Sequence, residues 1–113
     1  MAGANNQSAW LYFHSPCFDG IVSCVIASDF LERYGGWRFE RFYAIDYAMR
    51  ANWLSQTLHS CSAIVDFLYH PQAAFWADHH STTFVTQAAK RDFDARQNKS
   101  WMFYDSQHGS WAA

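Results

Sequence analysis

The sequence predicts an α/β fold with a mainly parallel, doubly wound sheet and helices on both faces. Short apolar segments typical of buried strands alternate with segments of helical periodicity, which is the order that parallel sheets require. Most of the strand candidates also end directly at an acidic residue or a histidine. Because 50% of the 113 residues are hydrophobic, the chain can form one domain with a substantial core.

The first half of the chain is predicted to alternate strands with helices. A disordered N-terminus at residues 1–8 precedes a buried strand at residues 9–14 and a turn that contains Pro and Gly. Apolar side chains recur at helical spacing over residues 21–34, and two glycines end that helix. Residues 38–45 then predict a strand covered on both faces, and residues 47–59 predict a second helix.

The second half continues the alternation in shorter elements. The predicted elements are, in order, a strand at residues 62–66, a short helix from Pro71, a strand at residues 75–77, a helix at residues 82–90, an exposed polar loop at residues 90–99 and a strand at residues 101–104. The last residues, 105–113, resemble the beginning of another helix, so we expect the sheet to be truncated at its C-terminal end.

Composition argues against several classes of protein. The formal net charge is −2, so a broad basic surface for non-specific binding of nucleic acid is not expected. Cys17, Cys24 and Cys61 follow neither a zinc-site nor a disulfide spacing, which is typical of reduced thiols and disfavours a structural zinc module. Residues 1–8 lack a basic or apolar leader, and no apolar stretch reaches about eighteen residues. We therefore expect a cytoplasmic protein without a membrane segment.

Metal-binding side chains follow the predicted strands. His14 ends the first strand and Asp19 lies in the next turn, Asp66 ends the third strand, and Asp-His-His at residues 78–80 follows the fourth. The carboxyl ends of parallel strands meet at one edge of a sheet, so these groups are expected to converge. Mixed carboxylate and imidazole ligands suit Mn²⁺, and a pair of such ions can promote hydrolysis of a phosphodiester or a phosphoanhydride.

Three segments resemble the N-terminal motifs of the DHH phosphoesterase family. They are residues 12–20 (YFHSPCFDG), 64–67 (IVDF) and 76–82 (WADHHST), and the first is similar to the branch whose motif reads H-x-x-C-x-D-G. Order and spacing agree over residues 10–84. The resemblance implies that residues 9–113 are the N-terminal portion of a DHH-type catalytic domain, without the C-terminal substrate domain that usually follows it.

The resemblance also implies roles for individual residues. The ligands that it implies for two Mn²⁺ ions, with Mg²⁺ as the other candidate, are His14, Asp19, Asp66 and His79. It implies that Asp66 bridges the ions, that His80 lies near the substrate phosphate, and that Asp78 orients an imidazole by accepting a hydrogen bond. The substrate is then expected to be a short single-stranded oligonucleotide or a cyclic dinucleotide.

A second hypothesis stays open at this point. The chain could be a truncated, catalytically inactive DHH-like domain that binds a nucleotide or serves as an interaction domain, because its first motif has one aspartate where many family members have two. In either case we expect a homo-oligomer or a partner chain that supplies the missing domain. Outside the site, Asp46 is predicted to cap a helix or form a turn. Three histidines, His59, His70 and His108, are predicted to be surface or loop residues, with His70 as a candidate neighbour of the cleft.

Overall fold

The structure is a computed structural model that describes residues 7–15, 18–80, 82–96 and 101–104. Within these ranges the side chains of Gln7, Phe18, Asp19 and Trp101 lie outside the description. The sequence expectations for residues 1–6 and 105–113, His108 included, also fall outside the described residues.

A five-stranded sheet in which all the described pairings are parallel forms the centre of the fold, which confirms the α/β class. Its order is β2-β1-β3-β4-β5. The strands are β1 (Gln7–His14), β2 (Trp37–Ile45), β3 (Ser62–Val65), β4 (Phe75–Asp78) and β5 (Trp101–Tyr104). The chain moves outward in one direction from β1 to β2 and then in the other from β3 to β5. The carboxyl ends of β1 and β3 therefore border the crevice where sheets of this order bind ligands.

Three helical segments connect the strands. Helix α1 (Phe18–Tyr34) begins three residues before its predicted start, and Gly36 follows it with a φ of 71°. The segment after β2 is a 3₁₀ helix (Tyr47–Ser55) and is shorter than the predicted helix at residues 47–59. Asp46 caps this 3₁₀ helix by accepting a hydrogen bond from the Ala48 amide, which confirms its predicted role.

Helix α2 (Gln87–Arg96) corrects two sequence expectations. It lies where a polar loop at residues 90–99 was expected, and the predicted helix at residues 82–90 overlaps it only at the end. The segment is polar because one face is exposed, where Lys90 and Asp94 form an ion pair one turn apart. Ala89 and Phe93 are buried on the opposite face. The helix expected from Pro71 is also wrong, since Pro71 lies in a turn.

The core consists of two clusters on opposite faces of the sheet, because neighbouring residues of a strand point to opposite sides. Val65 and Ala77 belong to the cluster that includes Leu31 of α1. Ile64 and Trp76 belong to the other. The second cluster also contains Trp53 from the 3₁₀ helix and Phe93 from α2, so each set of helical side chains is buried against its own face.

Close backbone contact fixes the first turn of α1 against the end of β1. A Cβ atom at Gly20 would lie 1.9 Å from the carbonyl oxygen of His14, a distance that no side chain can occupy. Glycine is therefore required here by space. This contact holds the helix start beside the strand end that carries His14.

Strand β2 does not match its predicted environment. It was expected to be covered on both faces, but it forms one edge of the sheet, and residues 40–44 are exposed. Aromatic residues on both sides of the strand, Phe42 and Tyr43, suggested burial from sequence, yet both are exposed. No described helix has the length and apolar character needed to cross a membrane.

We predict that Gly20→Ala lowers the free energy of unfolding by about 3 kcal/mol, the upper end of the cost of overpacking, because the new methyl group would collide with the His14 carbonyl. Urea unfolding followed by tryptophan fluorescence measures this change. Val25→Ala, at an exposed position in the same helix, is the matched control and is expected to change stability by less than about 0.5 kcal/mol. Equal stability of the two variants would contradict the close approach.

Candidate metal centre

Three strand ends bring acidic and imidazole side chains together at the carboxyl edge of the sheet. His14 ends β1, Asp66 follows β3 directly, and Asp78 ends β4, with His79 and His80 next in the chain. Since β1, β3 and β4 are neighbours in the sheet, their ends lie side by side. The convergence that the sequence predicted for these five residues is therefore present.

Asp66 lies at the centre of this group. Its backbone has a φ of 56°, in the left-handed region that aspartate enters more readily than most residues. Its amide donates a hydrogen bond of 2.9 Å to the carbonyl of Ala77, which holds the residue against β4. The side chain is only 2% exposed, with Oδ2 3.6 Å from Nδ1 of His14 and Oδ1 3.3 Å from Nε2 of His79. One carboxylate thus separates two imidazoles.

Several polar atoms of this group are buried without a hydrogen bond. Nδ1 of His14, Oδ2 of Asp66 and Nε2 of His79 have no hydrogen-bond partner among the described residues. Burying such atoms unpaired costs free energy, so native structures rarely contain several of them side by side. A cation coordinated by the imidazole nitrogens and the carboxylate oxygen would compensate for all three.

A second pair of residues holds one imidazole in a defined orientation. Nδ1 of His80 lies 2.6 Å from Oδ1 of Asp78, which is buried. The short contact favours the tautomer in which Nδ1–H donates to the carboxylate, so the lone pair of His80 is on Nε2. The ring of His80 also stacks on that of His79, with centroids 4.3 Å apart. The contact that the sequence predicted between Asp78 and an imidazole is thus present.

Within the described part of the chain, one group of four residues has the spacing of a metal site. Asp66, Asp78, His79 and His80 each offer one ligand atom, and these atoms lie within 4.8 Å of one another. Two carboxylate oxygens and two imidazole nitrogens form a donor set that suits Mn²⁺ and also other transition metals.

This group differs from the ligand set that the family resemblance implied. Asp78 and His80 were expected near the substrate or behind the ligands, yet both contribute atoms to the four-residue group. His14 lies outside that group and contacts it through Asp66. The Asp19 side chain, the fourth expected ligand, lies outside the described residues.

Burial and charge both act on Asp66. Desolvation by burial raises the pKa of its carboxyl group, the nearby Asp78 carboxylate raises it further, and the three imidazoles lower it. Two carboxylates buried this close therefore disfavour the double negative charge unless a cation neutralises it. His70 lies in a loop, which is one of the two predicted settings, but it is only 2% exposed and burial lowers its pKa. His59 is half-buried and stacks on Trp10.

The sequence did not indicate Tyr47, which forms part of the wall of the site. Its ring packs edge-on against His14 with centroids 4.7 Å apart, and its hydroxyl oxygen lies 3.4 Å from Nδ1 of His80. The sequence feature that could have indicated Tyr47 as a site residue is its position just after the end of β2. Arg50 of the same 3₁₀ helix donates a hydrogen bond of 2.9 Å to the carbonyl of Thr82 and thereby ties this wall to the loop after His80.

Comparison with known proteins found no relative of this chain. No protein-family model, curated protein or solved structure matches the chain.

We predict that Asp66→Asn stabilises the metal-free protein near pH 7. A raised folded-state pKa means that ionisation of Asp66 opposes folding, so the amide removes a penalty that appears as the pH rises above the ordinary carboxyl pKa of about 3.9. Urea unfolding in the presence of a chelator measures the difference, which should shrink as the pH falls toward that value. A less stable variant at pH 7 would show that the contacts of Asp66 with His14 and His79 outweigh its desolvation.

Proposed function

We propose that this protein is a metal-dependent phosphoesterase of the DHH type that hydrolyses a phosphodiester or phosphoanhydride bond. Its substrate class would be a short single-stranded oligonucleotide or a cyclic dinucleotide. The observation that carries the proposal is the set of buried ligand atoms on His14, Asp66 and His79 that face one another without a hydrogen bond at the carboxyl edge of the sheet. The motif resemblance supports the same conclusion independently of the geometry.

The residues of the site fit a pair of divalent cations. Asp66, Asp78, His79 and His80 would hold one ion, and His14 together with Asp66 would hold a second, which makes Asp66 the shared ligand. Mn²⁺ is the first candidate because both oxygen and nitrogen donors are present, and Mg²⁺ is the second. When bound, such ions polarise a phosphoryl oxygen and lower the pKa of a water molecule into the neutral range.

The protein side chains have separable tasks in this proposal. Asp78 holds the Nδ1 proton of His80, so that Nε2 carries the lone pair that would coordinate the ion. The His80 side chain is 33% exposed, compared with 14% for His79, so a substrate would approach the ion from the side of His80. Tyr47 lies next to both His14 and His80, and would limit how water and substrate enter between them.

A catalytically inactive nucleotide-binding or interaction domain is the second candidate. The first motif favours it, because Phe18-Asp19-Gly20 supplies one aspartate where many members of the family have two. The chain has three cysteines, an odd number, and they follow no zinc-ligand spacing, which is typical of reduced thiols. Reduced thiols favour a cytoplasmic location under both proposals. A partner chain that contributes a substrate-binding domain is compatible with both.

The decisive experiment measures metal content and hydrolysis in the same samples. We expect the wild-type chain to bind two Mn²⁺ ions and to cleave bis(p-nitrophenyl) phosphate and a dinucleotide. Asp66→Asn is expected to lower the rate at least about 100-fold, because the shared ligand is lost. His59→Ala, a half-buried histidine outside the metal group, is the matched control and should retain both properties.

Each result of this experiment separates the candidates. Two bound ions without turnover would indicate an intact site that lacks its substrate domain. Absence of bound Mn²⁺ and Mg²⁺ in the wild type would contradict the phosphoesterase proposal and favour the inactive domain. Turnover that survives Asp66→Asn would show that hydrolysis comes from another site or from a contaminant.

We predict that Asp78→Asn weakens Mn²⁺ binding about 10- to 100-fold, because the substitution removes a buried negative charge and leaves a weaker, neutral acceptor for the Nδ1 proton of His80. Isothermal titration calorimetry measures the affinity. Asp46→Asn is a matched control, since Asp46 also follows a strand end but caps the 3₁₀ helix. If the two variants bind Mn²⁺ equally well, Asp78 has no part in the metal centre.

A further inference from the structure

A cavity of about 190 Å³ lies between α1 and the side of the sheet that carries β4 and β5. Helix α1 packs over β1, β2 and β3, so β4 and β5 extend beyond it on this face. Val65 and Ala77 line the cavity from the sheet, and Ala27 and Phe30 line it from the helix. Apolar side chains from both layers of the fold therefore bound the cavity.

The cavity opens to solvent between α1 and β5. Ile26 and Phe103 both line it and are 50% and 39% exposed, whereas Ala27 and Ala77 are buried. The ring of Phe103 packs against that of Phe75, with centroids 5.7 Å apart, at the β5 side of the cavity. A small molecule can therefore enter past Ile26 without disrupting the buried core.

The hydroxyl group of Ser23 interrupts this apolar lining. Ser23 is 6% exposed, and its Oγ has no hydrogen-bond partner among the described residues. A serine within a helix commonly donates its hydroxyl to a carbonyl of the preceding turn, and an unpaired hydroxyl in an apolar setting costs free energy. A ligand with one hydrogen-bonding group would compensate for this cost.

Neither water nor a charged ligand suits the cavity. A buried water molecule usually makes about three hydrogen bonds, and Ser23 supplies the only polar side chain among the described residues of the lining. No charged side chain belongs to that described lining, so an ion would be desolvated there without a partner. The cavity therefore favours a neutral, mostly apolar ligand.

Size and lining together favour a ligand with a single aromatic ring. An apolar cavity of about 150 Å³ is large enough to hold benzene, so the volume here accommodates such a ring with a small substituent. Phe30, Phe75 and Phe103 all line the cavity. Aromatic rings attract one another in edge-to-face and offset geometries, which adds to the gain from apolar burial.

We propose that this cavity binds a neutral monocyclic aromatic molecule that carries one hydroxyl or N–H group. The ring lies among the three phenylalanines, and the polar group forms a hydrogen bond with Oγ of Ser23.

The site adjoins the metal centre but is separate from it. Val65 and Ala77 directly precede Asp66 and Asp78 in the chain. None of the residues that line the cavity belongs to the metal-binding group. This inference therefore does not depend on the proposed function.

Phenol and toluene test the site, because they have the same size and differ in the polar group. NMR titration of the isotope-labelled chain, with a chelator present, measures both dissociation constants. Phenol should bind with a dissociation constant on the order of 1 mM, as expected for so few atoms. Ser23→Ala should weaken phenol binding about 5-fold, the value of one hydrogen bond, and should leave toluene binding unchanged.

A matched pair of tryptophan substitutions tests the position of the site. Ile26→Trp places a large ring at the opening and should weaken phenol binding at least about 10-fold by filling the space. Val25→Trp introduces the same ring at the neighbouring exposed position, which does not line the cavity, and should bind phenol as the wild type does. Circular dichroism verifies that both variants are folded.

Four outcomes would overturn the proposal. The first is a wild type without saturable phenol binding up to about 10 mM. The second is a Ser23→Ala variant that binds phenol as tightly as the wild type, and the third is equal phenol binding by Ile26→Trp and Val25→Trp. The fourth is phenol binding that requires Trp111→Ala, which would show that the chain's own residues 105–113 occupy the cavity. Because the metal is chelated throughout, the proposed function stands or fails separately.

Discussion

Burial of the Asp66 carboxylate between two imidazoles is the constraint on which the rest of the site depends. The carboxylate can lie there only because its backbone enters the left-handed region and its amide is held by the carbonyl of Ala77. Those two conditions require that β3 and β4 are paired and that β1 lies on the other side of β3. The strand order thus determines which side chains meet, and local backbone geometry determines which atoms they present.

The two faces of the sheet support this edge in different ways. On one face, α1 approaches so closely that Gly20 has no room for a side chain, which fixes the end of β1. On the other face, the indole nitrogens of Trp53 and Trp76 donate to the carbonyls of Leu68 and Phe67. These bonds hold the chain just after Asp66. Rigid support from both faces keeps unpaired polar atoms close together although each would gain by moving toward water.

The parts predicted from sequence are those that short-range patterns determine. Apolar runs that stop at His14, Asp66 and Asp78 predicted three strand ends. A buried strand tolerates few polar residues, so the first polar residue after an apolar run marks where the strand ends. The α2 helix was misplaced because its polar residues lie on its exposed face, and only Ala89 and Phe93 mark the buried side. The exposure of β2 was missed because aromatic residues fall on both of its faces, although three charged residues, Arg38, Glu40 and Arg41, are typical of an edge strand. Tyr47 was missed because its neighbours come from distant segments.

The hydrogen bond between Arg50 and Thr82 has a mechanical consequence. It joins segments that are 32 residues apart in sequence, one leading from Tyr47 and the other from His80. A displacement of the 3₁₀ helix is therefore passed to the loop after His80 through a bond whose donor is charged and hence comparatively strong. We therefore expect the 3₁₀ helix and the segment after His80 to move together, so that the distance between Tyr47 and His80 varies less than the position of either residue.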